Sequence, residues 1–288
     1  DTLGIYYAFG FRDNTVTGAS MYRSPDELAW EVLGTGNDGP VFGWSATLLA
    51  NTENPWTWDE TNKVQIALTQ GTLDSKTALE VLNWANVALL GDEIIQWRNA
   101  SVLASGLYEL SGLLRGRRGT EWATGTHTMG ERFVLLSDDG VYRAPLPATE
   151  INKTAYYKGI PDGGNWDDAP SNPFVFKGNS LRCFAPVQVK GVRDGSGNLT
   201  ITWKRRARWY GEWLDETDVP LFEANEKYEI DILSGITVKR TITATTPTAA
   251  YSAADQVVDF GSAQSTLTIA VYQINAVIGR GQVKQVTV

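Results

Sequence analysis

The chain has 288 residues, a net charge of −8 and a pI near 4.8, which argues against a nucleic-acid-binding surface as its main function, because such surfaces attract polyphosphate through a positive field. Hydrophobic residues make up 42% and charged residues 20%, enough apolar material for one large domain or two ordinary ones. No apolar run reaches the ~18 residues of a membrane helix, no signal peptide is visible, and the lone Cys183 excludes an internal disulfide and suits a reducing cytoplasm. A start at Asp1 rather than at a methionine is read as a portion of a longer protein.

The 11 Trp and 11 Tyr sit among short apolar stretches separated by Gly, Asn, Asp and Pro, a composition that predicts a mainly β protein. Residues 17–23 and 29–33 read as strands around the turn SPDE. Residues 41–49 and 63–71 are further strands, with the polar loop NTENPWTWDETN between them. Asp74 or Ser75 is expected to cap a short helix ending at Leu82, followed by a strand in NVALLG. A hairpin follows: Ile95 and Trp97 alternate with Gln96 and Arg98, Ser105-Gly106 makes the turn, and the return strand runs over 107–114. That strand then breaks into a loop, RGRRGTEW, dense in guanidinium. Residues 132–146 read as a hairpin turning at Asp138-Asp139-Gly140, and 155–160 as a strand. Residues 161–173 form an exposed loop rich in Gly, Asp, Asn and Pro. The pattern changes at Ala185-Pro186, giving domains 1–184 and 185–288. The second shows longer alternating strands, with Leu199, Ile201 and Trp203 on one face.

Two stretches carry family resemblances. Pro186-Val187, the Trp203 of LTITW, YEIDI, and YQINAVIGRGQ before the final VKQVTV resemble a fibronectin type III domain. The resemblance implies a β-sandwich with Trp203, Tyr228 and Ile274 in its core. Ala270 stands where that family usually carries the tyrosine of a tyrosine corner, and the 207–226 connector is unusually long. Upstream, LLGDEIIQ and YELSGLLRGRRGT resemble the tail-tip or baseplate-hub proteins of long-tailed phages and gene transfer agents. This second resemblance covers residues 86–122 specifically and the rest of the first domain loosely. It implies an irregular, barrel-like β domain in a structural virion protein, a homotrimeric hub at the tail tip. Its partners would be other tail proteins and a bacterial surface glycan or receptor, with no cofactor, no nucleic acid and no membrane insertion by this segment.

Arg115, Arg117 and Arg118 with Glu121 offer either an anion site or a structural clamp on carbonyls and carboxylates. The clamp ranks ahead, and a nucleic-acid contact comes third. Gly116 and Gly119 let the chain turn tightly there. His127, the only histidine, reads as a surface or loop residue; no spacing recommends a catalytic triad, and one His with one Cys makes no zinc site. Asp138-Asp139 reads as a turn former; Asp167-Asp168 beside Trp166 offers a sugar or calcium contact as the minor reading, since neither pair has glycosidase geometry or calcium-loop spacing. Trp56, Trp58 and Trp166 are candidates for glycan or receptor contact, against the plainer reading that they cover gaps between sheets. Lys204, Arg205, Arg206 and Arg208, near Trp209, Tyr210 and Trp213, read as one solvated, partly stacked face, ahead of a polyanion contact. The expectation is a non-enzymatic tail-tip protein, with a carbohydrate-binding module second and a wall glycosidase third.

Overall fold

The computed structural model describes all residues except 1–2, 11–15, 38, 138, 210 and 212–218. The chain divides into two compact units, Thr2–Lys177 and Gly178–Val288.

The first unit carries, in order, β1 (Gly4–Ala8), β2 (Ala19–Ser24), β3 (Glu31–Gly36), β4 (Phe42–Ser45), β5 (Val64–Gln70), α1 (Ala78–Leu82), β6 (Val87–Leu90), β7 (Glu93–Ala104), β8 (Leu107–Arg117), β9 (Arg132–Leu135), β10 (Val141–Pro145), β11 (Thr154–Pro161) and β12 (Asn172–Val175). Strands β4, β5, β8, β7, β6 and β9 close, in that order, into a barrel. Closure leaves no open edge, so every strand is paired on both sides. Its interior is filled by Val64, Ile66, Ile95, Trp97, Leu110, Leu113 and Phe133. The indole N–H of Trp97 donates to the Asp74 carbonyl at 3.1 Å, so this buried ring is satisfied. Beside the barrel, β1 pairs with β10, and β12, β11, β2 and β3 form a four-stranded sheet.

The long β7–β8 hairpin matches its expectation, but β8 continues past Leu114 to Arg117. The expected loop is therefore partly strand. Two glycines shape it. At Gly112, φ is 62°, and the inward face changes from Tyr108 and Leu110 to Leu113 and Arg115. At Gly116, φ is 59°. Ile94 faces Arg117 while Gln96 faces Leu114, so β8 holds one extra residue, a β-bulge at Arg115-Gly116.

Two other expectations are corrected. Residues 132–146 are not a hairpin: β9 pairs with β4 and β6, whereas β10 pairs with β1. Phe133 belongs to the barrel interior, and filling it draws β9 away from β10. Asp138, in the expected turn, lies outside the described residues. The helix is capped by Thr77, whose side chain accepts from Glu80 N–H while the Glu80 carboxylate accepts from Thr77 N–H. Asp74 and Ser75 are engaged elsewhere, with Trp97 and with Ala100.

The second unit carries β13 (Val187–Arg193), β14 (Leu199–Lys204), β15 (Tyr228–Ser234), β16 (Thr237–Ala244), β17 (Thr248–Tyr251), α2 (Ala253–Phe260), β18 (Thr268–Asn275) and β19 (Gly279–Thr287). Sheets β13-β14-β17 and β16-β15-β18-β19 make a fibronectin type III-like β-sandwich. Trp203 and Tyr228 meet edge-to-face in its core, centroids 4.9 Å apart. Ile274 is not a core residue: it is half-buried and outside the core cluster. Ile269, Val271 and Gln273 take the inward parity of β18, and a register shift falls between Tyr272 and Ile274. Helix α2 was not anticipated, although Ser252 three residues before Asp255, and Gly261 past its end, are its start and stop signals.

Ile230→Ala is expected to destabilise the sandwich by about 2–5 kcal/mol, the range for emptying a packed core site. Ile274→Ala is expected to cost clearly less. Urea unfolding followed by tryptophan fluorescence checks the pair, and equal losses would return Ile274 to the core.

Candidate functional site

A buried charge cluster lies at one end of the barrel. β4 ends there at Ser45, β6 ends at Leu90, β7 begins at Glu93, β8 ends at Arg117 and β9 begins at Arg132. Glu93 shares the parity of Ile95 and Trp97, so β7 turns its carboxylate inward, where it is fully buried. Arg115 shares the parity of Leu113 and is buried opposite it.

Every N–H of the Arg115 guanidinium has an acceptor. Nε donates to Glu93 Oε1 at 2.9 Å, and Nη2 donates to Glu93 Oε2 at 2.9 Å and to the Thr124 carbonyl at 3.2 Å. Nη1 donates to the Ala50 carbonyl at 3.0 Å and to Asp59 Oδ2 at 3.1 Å. Glu93 also accepts from Gly116 N–H at 2.6 Å and meets His127 Nε2 at 2.6 Å. His127 Nδ1 meets Glu131 Oε2 at 2.7 Å. Asp59 Oδ1 accepts from Asn62 N–H at 3.0 Å and Oδ2 from the Asn62 amide at 2.8 Å.

Burial pushes the Glu93 carboxyl up, but His127, Arg115 and the Gly116 N–H outweigh it and hold it below the ordinary value. Asp59 is also held low: burial again opposes, and the Asn62 donors and Arg115 prevail. For His127, burial disfavours the charge, yet Glu93 and Glu131 raise its pKa above the ordinary imidazole value. His127 is thus in a loop as expected, but it is buried rather than on the surface. Two carboxylates draw it in: Glu131, four residues on, and Glu93 on β7, a long-range contact that local sequence does not carry. Glu93, Asp59 and Glu131 were not singled out as site residues; the parity of Glu93 with Ile95 and Trp97 was the available signal.

The rest of the arginine stretch points elsewhere. Arg117 Nε donates to Gln96 Oε1 at 2.8 Å, and its guanidinium lies 5.1 Å from the Trp84 ring. Arg118, exposed and at φ 55°, lies 4.2 Å from the same ring. Gly119 has φ 84°. Glu121 packs so closely on Gly116 that a Cβ there would lie 2.8 Å from Glu121 Cα.

The three tryptophans differ. Trp56 is 58% exposed in its loop. Trp58 is half-buried, with the Arg98 guanidinium 4.5 Å from its ring. Trp166 is half-buried, edge-on to Tyr22 and Trp30, with Lys158 Nζ 4.9 Å away. Asp167 and Asp168 are exposed in the short 3-10 turn that begins at Trp166.

The expected solvated cationic face near Trp203 is dispersed. Arg208 is buried against Glu223 at 2.8 Å, and Glu223 accepts from Asn275 at 2.7 Å. Arg205 donates to the Pro220 carbonyl, Arg206 lies over Phe184, and Lys204 remains exposed on its strand. Tyr210 and Trp213 lie outside the described residues. Cys183 is buried, and desolvation followed by the nearby Glu223 charge pushes its thiol up to about 12, which makes it unreactive.

The chain matches the family described as Rcc01698-like, C-terminal, over residues 41–134. That span is the barrel, from β4 to the penultimate residue of β9. No curated protein matches the chain. Among solved structures, domains d3–d4 of the rat CD45 extracellular region align at 13% identity over 43% of this chain and 59% of that one, with a TM-score of 0.26. The chicken CNTN1 FN1–FN3 domains align at 15% identity over 86% of this chain and 66% of that one, with a TM-score of 0.27. This chain spans less than two thirds of either structure. The fibronectin type III-like assignment rests on the strand order given above.

Arg115→Ala is expected to destabilise the barrel by about 3–5 kcal/mol, because it strands two buried carboxylates. Arg118→Ala is expected to cost clearly less, about 0.5–1 kcal/mol, the worth of its exposed cation–π contact with Trp84. The wild type should also be acid-sensitive: the Glu93 contribution is full above the ordinary value of 4.5 and is lost as pH falls through the lower folded value. Arg115→Ala should flatten that acid limb. Denaturant titrations of both variants at several pH values test this, and an Arg115→Ala barrel as stable as wild type would remove the network's role.

Proposed function

We propose that this protein is the C-terminal portion of a tail-tip or baseplate-hub protein of a phage or phage-like particle, acting in tail assembly and host-surface engagement without catalysis. The observation that carries the reading is the coincidence of the matched family region with one complete closed barrel. A fibronectin type III-like sandwich follows that barrel in the chain, as the sequence resemblance leads one to expect of such proteins. The charged end of the barrel supports a structural role, since Arg115, Glu93 and Asp59 spend their hydrogen-bonding capacity on one another and on backbone. In this reading the protein sits at the virion tail tip, forms a homotrimer with other tail proteins around it, and meets a bacterial surface glycan or receptor.

The second reading, a carbohydrate-binding module, is favoured by Trp56 alone of the three candidate tryptophans. Its indole stands 58% exposed in a loop of Asn, Thr and Pro, while Trp58 and Trp166 are half-buried.

Gold-labelled antibody against this segment, applied to intact particles, is expected to mark the distal tail end. Unlabelled particles with the protein free in the lysate would overturn the hub reading. In a glycan-binding screen, Trp56→Ala is expected to weaken any binding by about tenfold or more, as the loss of an aromatic anchor worth about 1.4 kcal/mol or more does. Trp58→Ala and Trp166→Ala should do less, and an unchanged Trp56→Ala profile removes the glycan reading from this loop.

A further inference from the structure

His127 sits in the middle of an otherwise exposed run. Residues 125, 126, 128, 129 and 130 face solvent, and His127 alone points inward. The run is pinned at both ends. Arg115 Nη2 holds the Thr124 carbonyl, Gly130 N–H donates to the Ser45 carbonyl at 2.9 Å, and Ser45 N–H donates to the Glu131 carbonyl at 2.9 Å. Between those pins Ser45 Oγ donates to the Thr128 carbonyl at 3.3 Å, and the imidazole is the one buried side chain of residues 125–130.

The ring touches two carboxylates from different parts of the barrel, Glu93 on β7 and Glu131 ahead of β9. Two acceptor partners call for two N–H donors, the imidazolium form. The other charged groups of this cluster are Arg115 from β8, paired with Glu93, and Asp59 from the loop before β5, paired with Arg115. With His127 protonated, Asp59, Glu93 and Glu131 face two cations and leave one negative charge in excess; without the proton they leave two.

The two carboxylates are held differently. Glu93 is fixed by Arg115 and Gly116 and is fully buried. Glu131 keeps Thr128 N–H as a partner, and its side chain is 15% exposed. A neutral ring has one N–H. Retained on Nε2, it serves Glu93, which has no route to water. Nδ1 then presents a lone pair to Glu131, and the repelled carboxylate has solvent to turn toward.

We propose that His127 is a proton-dependent latch on residues 125–130 at the charged end of the barrel: loss of its proton breaks the Glu131 side, turns that carboxylate away from Thr128 N–H and loosens this run, while the Glu93 bond and the barrel strands stay in place. The proton leaves to solvent hydroxide or buffer base, and no bond other than N–H is broken. The sign follows from the geometry. The closed state raises the imidazole pKa, so the latch is complete below the ordinary value of 6.5 and is lost as pH rises through the higher closed-state value. Release therefore comes on alkalinisation, opposite to the acid limb set by Glu93.

The test uses the whole chain. Because it has one histidine, ring 15N NMR reports His127 without assignment. Hydrogen exchange of the 125–130 amides is followed over about pH 5.5 to 9.5, the range around imidazole titration, and corrected for intrinsic rates. Both ring nitrogens should carry protons at neutral pH. Protection of residues 125–130 should fall about tenfold for each unit by which the ring pKa is raised, with Ile66 and Ile95 amides unaffected. Glu131→Gln keeps an acceptor for Nδ1 but removes a charge, so the release midpoint should move to lower pH. A neutral ring at pH 7, protection that does not follow the ring titration, or equal loss throughout the barrel overturns the latch. Should Glu131→Gln not fold, the wild-type comparison of ring titration with segment protection decides alone.

Discussion

One guanidinium organises the end of the barrel. Arg115 spends its five donors on Glu93, Asp59 and two loop carbonyls, Ala50 and Thr124. Removing such a charge from water costs several kcal/mol, and the cost is offset only when each N–H finds an oxygen and each oxygen a donor. Here the fork geometry of arginine matches the Glu93 carboxylate in both directions. Lysine, a point charge with three donors, has no equivalent arrangement.

The consequences run outward from that pair. Glu93 recruits the Gly116 N–H, so the β-bulge is tied to the same carboxylate that the bulge helps to reach. It also recruits His127, and through it Glu131 and the start of β9. Asp59 brings the loop after β4 onto β8, where its backbone bridges Leu113. Loops of different sequence origin are placed relative to one another by charges that tolerate few alternative partners. We read the network as a device for specifying geometry more than for adding stability, consistent with the general weakness of buried ion pairs as net stabilisers.

The sandwich uses the same physics on a smaller scale. Arg208 and Glu223 form a buried pair at the two sides of the long connector, and Asn275 completes the Glu223 acceptors. The Asn275 bond attaches Glu223 of the connector to the end of β18. The pair also explains why the basic run after Trp203 does not form one solvated face.

The sequence by itself determined the elements whose information is local. Alternation in Ile95 and Trp97, the Ser105-Gly106 turn, and the faces of Leu199, Ile201 and Trp203 are set by a two-residue period, which is why the hairpins and the sandwich strands were legible. Even the inward turn of Glu93 was written in its parity with Ile95. The tertiary structure alone decided which strands pair across the barrel, so β9 left its sequence neighbour β10 to bury Phe133. It alone decided that Arg115, one of three arginines in RGRR, goes inward while Arg118 stays at the surface. It alone buried a loop histidine, since Glu93 reaches it from the start of β7, which shares no local pattern with it. The reason is common to all three: periodicity assigns a side chain to a face, but partner identity depends on closure of the barrel, and closure joins residues far apart in the chain.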